Sequence, residues 1–412
     1  MGKRAMLPSM ARFLLAWAAL LASACNGDPP TAMSAPTGGA ERSALLGPFL
    51  SAHWALPIAP QGAPPAEFSE AEASLSPDLC GGCHPKQYAE WSTSLHAAAF
   101  SPGFAGQLIE GSLAAPAQVR NCQTCHTPLA EQQPFGGDGA ASPHYQPELR
   151  SRGLVCAGCH VRAHRRFGPA RRAETPVPTD PIPHDAFEVR PEFSESAFCA
   201  PCHQFFDDTG VNGKPLENTF TEWRSSPHAA AGQTCQGCHM PDRAHLWRGI
   251  HDPEMVRSAV AVALSVEDGE PGNVRGSLVL TSQQVGHMFP TYVTPRIFLR
   301  VWQAGSDGTE LEGTRRELVI GRQVDFGRWT EVFDTRVAPG ESAVLAYDQP
   351  RHDGAATLMG LVSVDPDYHY RGVFESLLTS LTDPGARELI AEALHRASTS
   401  IYSLAELQRP LR

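Results

Sequence analysis

The sequence predicts an α+β chain of several domains: a segment of short helices and loops, an antiparallel β-sandwich, and two C-terminal helices. Three observations carry this. Ten of the 11 cysteines fall in five C-x-x-C-H motifs between Cys80 and His239, and beyond Pro253 there is no cysteine at all. From Ser258 to Val364, short apolar, partly alternating segments are separated by Gly, Asp and Pro turns, as in GEPGN, GSDG and APGE. The runs VFESLLTSL and ARELIAEALHRA then have helical periodicity.

With 412 residues, 42% of them hydrophobic, the chain can build two or three cores. Its 33 basic and 44 acidic residues give a net charge of −11, and no basic run is present. That balance argues against a nucleic-acid partner.

The first segment is a leader. Lys3 and Arg4 precede a short apolar run, Phe13–Leu21, which ends in Ala22, Ser23, Ala24 and Cys25. This is the pattern of a secretory signal, too short to span a membrane comfortably. Cys25 stands where a bacterial lipoprotein carries its lipidated cysteine, and a lone exported thiol wants such an explanation. Cleavage after Ala24 with an unmodified thiol is the alternative. The expected location is periplasmic or at the cell surface, through a lipid anchor. Residues 25–75, rich in Pro, Ala, Gly and Ser, read as a tether. Within it, Leu45–Pro60 is apolar enough to dock on the body, and His53 reads as a surface histidine.

The motifs are CGGCH (Cys80, Cys83, His84), CQTCH (Cys122, Cys125, His126), CAGCH (Cys156, Cys159, His160), CAPCH (Cys199, Cys202, His203) and CQGCH (Cys235, Cys238, His239). C-x-x-C-H is the attachment site of c-type haem. Two thiols bind the macrocycle as thioethers, and the adjacent histidine becomes the proximal iron ligand. Zinc knuckles combine C-x-x-C pairs two by two and do not require a histidine after each. Redox disulfides do not require one either. The prediction is five covalent haems c within residues 76–255. At about 32 residues per haem, the macrocycles themselves must form much of the core. Close packing of that kind makes an electron-conducting chain.

Twelve histidines remain for the distal positions. The segment YAEWSTSLHAAA (Tyr88–Ala99) repeats as FTEWRSSPHAAA (Phe220–Ala231) with seven identities in twelve, pairing Trp91 with Trp223 and His96 with His228. Helical spacing places Trp91 and Leu95 on one face, against a porphyrin. His164 and His245 closely follow their own proximal histidines, so each suits a neighbouring haem better. The expected distal ligands are His96, His164, His228, His245 and His287, with His184 and His251 as further candidates. His144, His352, His369 and His395 read as solvent or core residues. Methionines are scarce here, so bis-histidine ligation is the default, with correspondingly low potentials.

The run CGGCHPKQYAEWSTSLHAAAF resembles the opening of multihaem cytochromes of the nitrification tetrahaem carrier type. Those are related to hydroxylamine oxidoreductase and to octahaem reductases of sulfur and nitrogen oxyanions. GLVCAGCHVRAH (Gly153–His164) is similar to their motif in which a histidine shortly after C-x-x-C-H is a distal ligand. WRSSPHAAAGQTCQGCHMPDRAHLWRGIHDPEM resembles a closing haem segment in which the histidine matching His245 is commonly a ligand. GHMFPT (Gly286–Thr291) resembles a motif of β-domains fused to such cytochromes. The resemblance implies either an electron carrier or an enzyme.

The sequence itself favours the carrier. No C-x-x-C-K motif is present, and spare histidines are enough to saturate five irons. Other redox proteins or a membrane electron-transfer complex are then the partners, with residues 256–371 as a docking domain and 372–412 as terminal helices. A terminal reductase or oxidase of a small nitrogen or sulfur compound is the alternative, and needs a five-coordinate iron. A polymeric wire, with His53 as a ligand for a neighbouring subunit, is the third reading.

Overall fold

The computed structural model describes residues 38–114, 116–136, 139–173, 184, 186–205, 210–267 and 272–411, so the leader and Cys25 lie outside the described residues. Up to Ala259 the chain runs in short helices joined by loops. A small sheet interrupts them: β1 (Val161–Arg162) pairs antiparallel with β2 (Arg165–Gly168), which pairs parallel with β3 (Glu188–Val189). Many helices begin on proline, among them Pro77–Cys83, Pro85–Ser92, Pro102–Ala114, Pro116–His126 and Pro253–Ala259. At that position the absent N–H has no intrahelical acceptor to lose, and φ is already set. Each motif lies in or closes a helical turn, as in Cys156–His160 and Cys235–His239. Residues i, i+3 and i+4 share one helical face, so both thiols and the imidazole point the same way.

From Val260 the chain is mostly β. Strands β4 (Val260–Glu267), β5 (Asn273–Ser282), β6 (Arg296–Ala304), β7 (Arg316–Ile320), β8 (Arg322–Asp325), β9 (Thr330–Asp334), β10 (Ser342–Pro350), β11 (Thr357–Asp365) and β12 (Tyr402–Pro410) follow in order. They form antiparallel sheets of order β10-β5-β4 and β12-β11-β6-β7, and a separate β8-β9 hairpin. The two larger sheets share one core, which includes Leu264, Leu278, Leu299, Val301, Leu358, Val362 and Leu404. Gly360 permits the close approach: a Cβ there would stand 3.2–3.3 Å from Leu264 and Leu278 of the facing sheet.

Two expectations need correction. The C-terminal region has the helices Tyr368–Ser380 and Pro384–Thr399, but it ends in a strand rather than a helix. β12 pairs along the length of β11, and that non-local ladder overrides the local helical pattern. The tether also departs from expectation. Gly38–His53 is a helix, kinked at Gly47 before Pro48. Its Leu46 and Leu50, with Trp54 and Ile58, are buried among Val155, Ala157 and Ala200. Burial of these side chains holds the island Leu45–Pro60 on the motif region, as its apolar composition suggested, so this part of residues 25–75 is no free tether.

The terminal helices pack on Pro102–Ala114 through Phe374, Ile390 and Ala393. Glycine makes this approach feasible. A Cβ on Gly103 would lie 2.5 Å from Phe374, and one on Gly106 2.9 Å from Ile390.

Candidate haem-binding site

All five motifs line one continuous cavity of about 2470 Å³. A pocket for one drug-sized ligand measures roughly 300–1,000 Å³, so this space suits several large groups. Thiols of separate motifs meet within it. The thiol of Cys80 lies within hydrogen-bonding reach of Cys156, Cys125 of Cys202, and Cys199 of Cys235, all six being free. In each pair the hydrogen bond lowers one thiol pKa and, with burial and the partner's charge, raises the other; Cys80 and Cys235 fall to about 7. The charge of Cys159 also reaches Cys199 and Cys202. The motifs therefore adjoin first to third, third to fourth, and fourth to both second and fifth. The fourth is the junction.

The imidazoles are prepared for metal. Nδ1 of His126, His160 and His239 faces the carbonyls of Ala99, Phe167 and Arg248 at 2.7, 2.8 and 2.6 Å. Nδ1 of His184, His245 and His287 is likewise engaged by Ala186, Arg243 and Met288. A protonated Nδ1 held by a carbonyl leaves the Nε2 lone pair for a metal. Three imidazole pairs then stand out. Ring centres are 6.2 Å apart for His96 and His203, 6.3 Å for His160 and His245, and 6.4 Å for His239 and His287. Two imidazoles bound at about 2 Å on opposite sides of one metal would place their ring centres roughly 6 Å apart. The residues fit the group.

A fourth proximal histidine, His84, has His184 as its charged neighbour, and burial with that charge lowers its pKa. His126 differs. Among the described residues its ring partner is Phe104, stacked flat at 4.3 Å, and the imidazole acting on it is His203, already paired with His96. His228 lines the cavity with a buried, unpartnered Nδ1, as does its repeat mate His96. The repeat is structural too. Trp91 donates to Leu154 and Trp223 to Gln233, while Ser94 and Ser226 each accept from the amide three residues on. Trp91 is buried, but Leu95 lies beyond the end of its helix and is 55% exposed, so the two do not share a helical face.

Three other histidines use Nε2 elsewhere. His164 points it at the Gly62 carbonyl, 3.0 Å away, and does not line the cavity. His251 lies on the cavity wall with Nε2 3.0 Å from both carboxylate oxygens of Asp367. His53 corrects the expectation of a surface residue. It is 4% exposed, its Nε2 is 2.8 Å from the Cys159 carbonyl, and it packs among Phe49, Phe167 and Phe193. Burial lowers its pKa to about 3. The neighbouring Trp54 and the apolar island around it were the available signal.

Residues 79–161 match the family model described as cytochrome c554 and c-prime. These findings support a multihaem c-type cytochrome. The chain's fold is similar to the crystal structure of a penta-haem cytochrome c552 from Thermochromatium tepidum, with a TM-score of 0.60 and 19% identity over 83% of this chain and 100% of that one. No curated protein matches the chain significantly.

His287 reaches the cavity from the β region, and the loop that carries it is clamped. Glu222 accepts from the Met288 amide at 3.2 Å and from the Thr291 hydroxyl at 3.0 Å. Arg336, its side chain 3% exposed, donates to Glu222 at 2.9 Å and to the Thr291 carbonyl at 2.7 Å. Beside this clamp lies Glu217, whose Oε1 is 4.0 Å from Nδ1 of His203. Burial pushes the Glu217 carboxyl up to about 7, against a hydrogen bond from Thr219 and the nearby Arg336 charge. Sequence reasoning missed Glu217, Glu222 and Arg336, since nothing local marks a carboxylate that will meet a distant imidazole.

Proposed function

We propose that this cytochrome is an exported pentahaem electron carrier with mainly bis-histidine irons, akin to the hydroxylamine oxidoreductase-like cytochromes. Bound haem supplies a reversible one-electron couple at each motif. The observation that carries the reading is the set of three imidazole pairs 6.2–6.4 Å apart. The charge of His184 acts on His84, which makes His184 the candidate for a fourth pair. Nδ1–carbonyl contacts hold the rings of His160, His184, His239, His245 and His287 in place, so little rearrangement would accompany a change of charge on the metal there. A pentahaem domain at 76–255, a β-sandwich domain that meets the partner, and a lipid on Cys25 complete the proposal. Other redox proteins or a membrane complex would exchange electrons with it. His53 cannot serve a polymeric wire in this conformation, because it is buried and hydrogen-bonded.

A pyridine haemochrome assay against protein mass should give five haems per chain; two or fewer in mature protein would overturn the proposal. Converting His96 to Ala should turn one haem high-spin with attachment intact, because the thioether cysteines are untouched. Mass spectrometry of the native N-terminus should find acylated Cys25, and an unmodified terminus would leave a protein without this anchor.

The second reading, a terminal reductase, is favoured by one place. Among the described residues His126 faces Phe104 rather than an imidazole of its own, and Tyr292 and Tyr370 on the same cavity wall feel the charges of Glu217 and Asp367. Fast, stoichiometric carbon monoxide binding by one high-spin haem would establish that vacancy, and a wholly low-spin protein would remove it.

A further inference from the structure

We propose that Glu217 sets the reduction potential of the haem held by His203, and so makes the junction of the chain its least reducible point. The comparison among proximal histidines carries this. His126, His160 and His239 present Nδ1 to neutral backbone carbonyls, whereas His203 presents it to a carboxylate 4.0 Å away. That carboxylate is fixed. Thr219 donates to the same oxygen at 2.5 Å, the Phe205 amide donates to the Glu217 carbonyl at 2.8 Å, and Glu217 bridges to Tyr292 of the β region. Its field also reaches Cys125 of the second motif.

A carboxylate behind a metal-bound imidazole raises the basicity of that ligand and favours the more positive, oxidised metal. A carbonyl dipole does so less. The fourth motif adjoins the second, third and fifth, so an electron crossing between the first motif and the last meets an uphill step there. The inference rests on the reading of His203 as a haem ligand.

The test is a spectroelectrochemical titration, at a pH well above 7 where the Glu217 carboxyl is charged, of the full holoprotein and of its Glu217→Gln variant, which keeps shape and removes charge. One of the five waves should move upward by about tenfold in its reduction equilibrium, or ~59 mV for one electron, with the spectrum still low-spin and the other waves in place. Glu217→Asp, which keeps the charge but withdraws it, should move the same wave less. If the Gln variant does not mature, the Asp variant alone decides, since an unmoved wave there overturns the proposal. Unmoved waves in a mature Gln variant, or five waves moving together, also overturn it. Failure of the underlying ligation would show separately, as missing haem or a high-spin signal in the unaltered protein.

Discussion

The β region and the motif region bury their side chains in different ways. In the first, both larger sheets and their flanking segments contribute to one cluster of eighteen buried residues among those described, and Ile297, Leu299, Val301, Leu358 and Val362 are wholly enclosed. In the second, the largest cluster among the described residues has twelve, and beside it runs a cavity lined by cysteines and histidines. One region is filled by its own sequence. The other leaves its middle to covalently attached groups, which then couple metal binding to folding. The regions meet where Glu222 and Arg336 hold the His287 loop.

The largest expected effect separates the two directly. Without haem attachment, hydrogen exchange should show residues 77–239 losing protection while β5, β6 and β11 keep theirs. Equal loss in both regions would mean that the β region depends on the haems for its own stability. Next comes the clamp. Arg336→Met strands Glu222 in the interior, and breaking a buried pair typically destabilises by about 3–5 kcal/mol. The His239 haem should gain high-spin character, read in the absorption spectrum; an unchanged spectrum would show that the loop is held without the clamp. Leu299→Ala should lower the unfolding free energy of the β region by about 2–5 kcal/mol with haem ligation intact. Denaturant titrations followed by tryptophan fluorescence and by haem absorbance should then diverge.

The smallest effect concerns His53. Its folded pKa, about 3, lies below the ordinary 6.5 because burial disfavours the charged ring. The unfolded chain therefore binds a proton that the folded chain refuses. His53 contributes its full stability above about pH 6.5 and loses it progressively as the pH falls toward 3. Thermal midpoints of His53→Phe should depend less on pH across that window than those of the unaltered protein, and parallel curves would deny His53 this role.

Much was legible in sequence because the signals are local. The C-x-x-C-H spacing dictates its own chemistry within one helical turn. Alternating polarity located β5, β6, β7, β10 and β11, each of which contains its expected segment, and most of β4. The repeat brought out His96 and His228 together, and both line the cavity. What stayed hidden depends on contacts between distant residues. β12 has little pattern of its own and is a strand because β11 offers it a ladder. His53 lies in the apolar island Leu45–Pro60, which signals docking, but it is the packing that shows the imidazole itself to be interior.

The sequence by itself determined where the C-x-x-C-H motifs lie, that thioether attachment is the chemistry they suit, and which segments alternate as strands. Those properties are written in neighbouring residues. Tertiary structure alone decided that His96 faces His203, that His160 faces His245, and that His287 crosses from the β region to His239. It also decided that Glu217 stands behind His203 while backbone carbonyls stand behind His126, His160 and His239. An imidazole has the same composition wherever it stands, and its partner is chosen by the folded path of the chain between them.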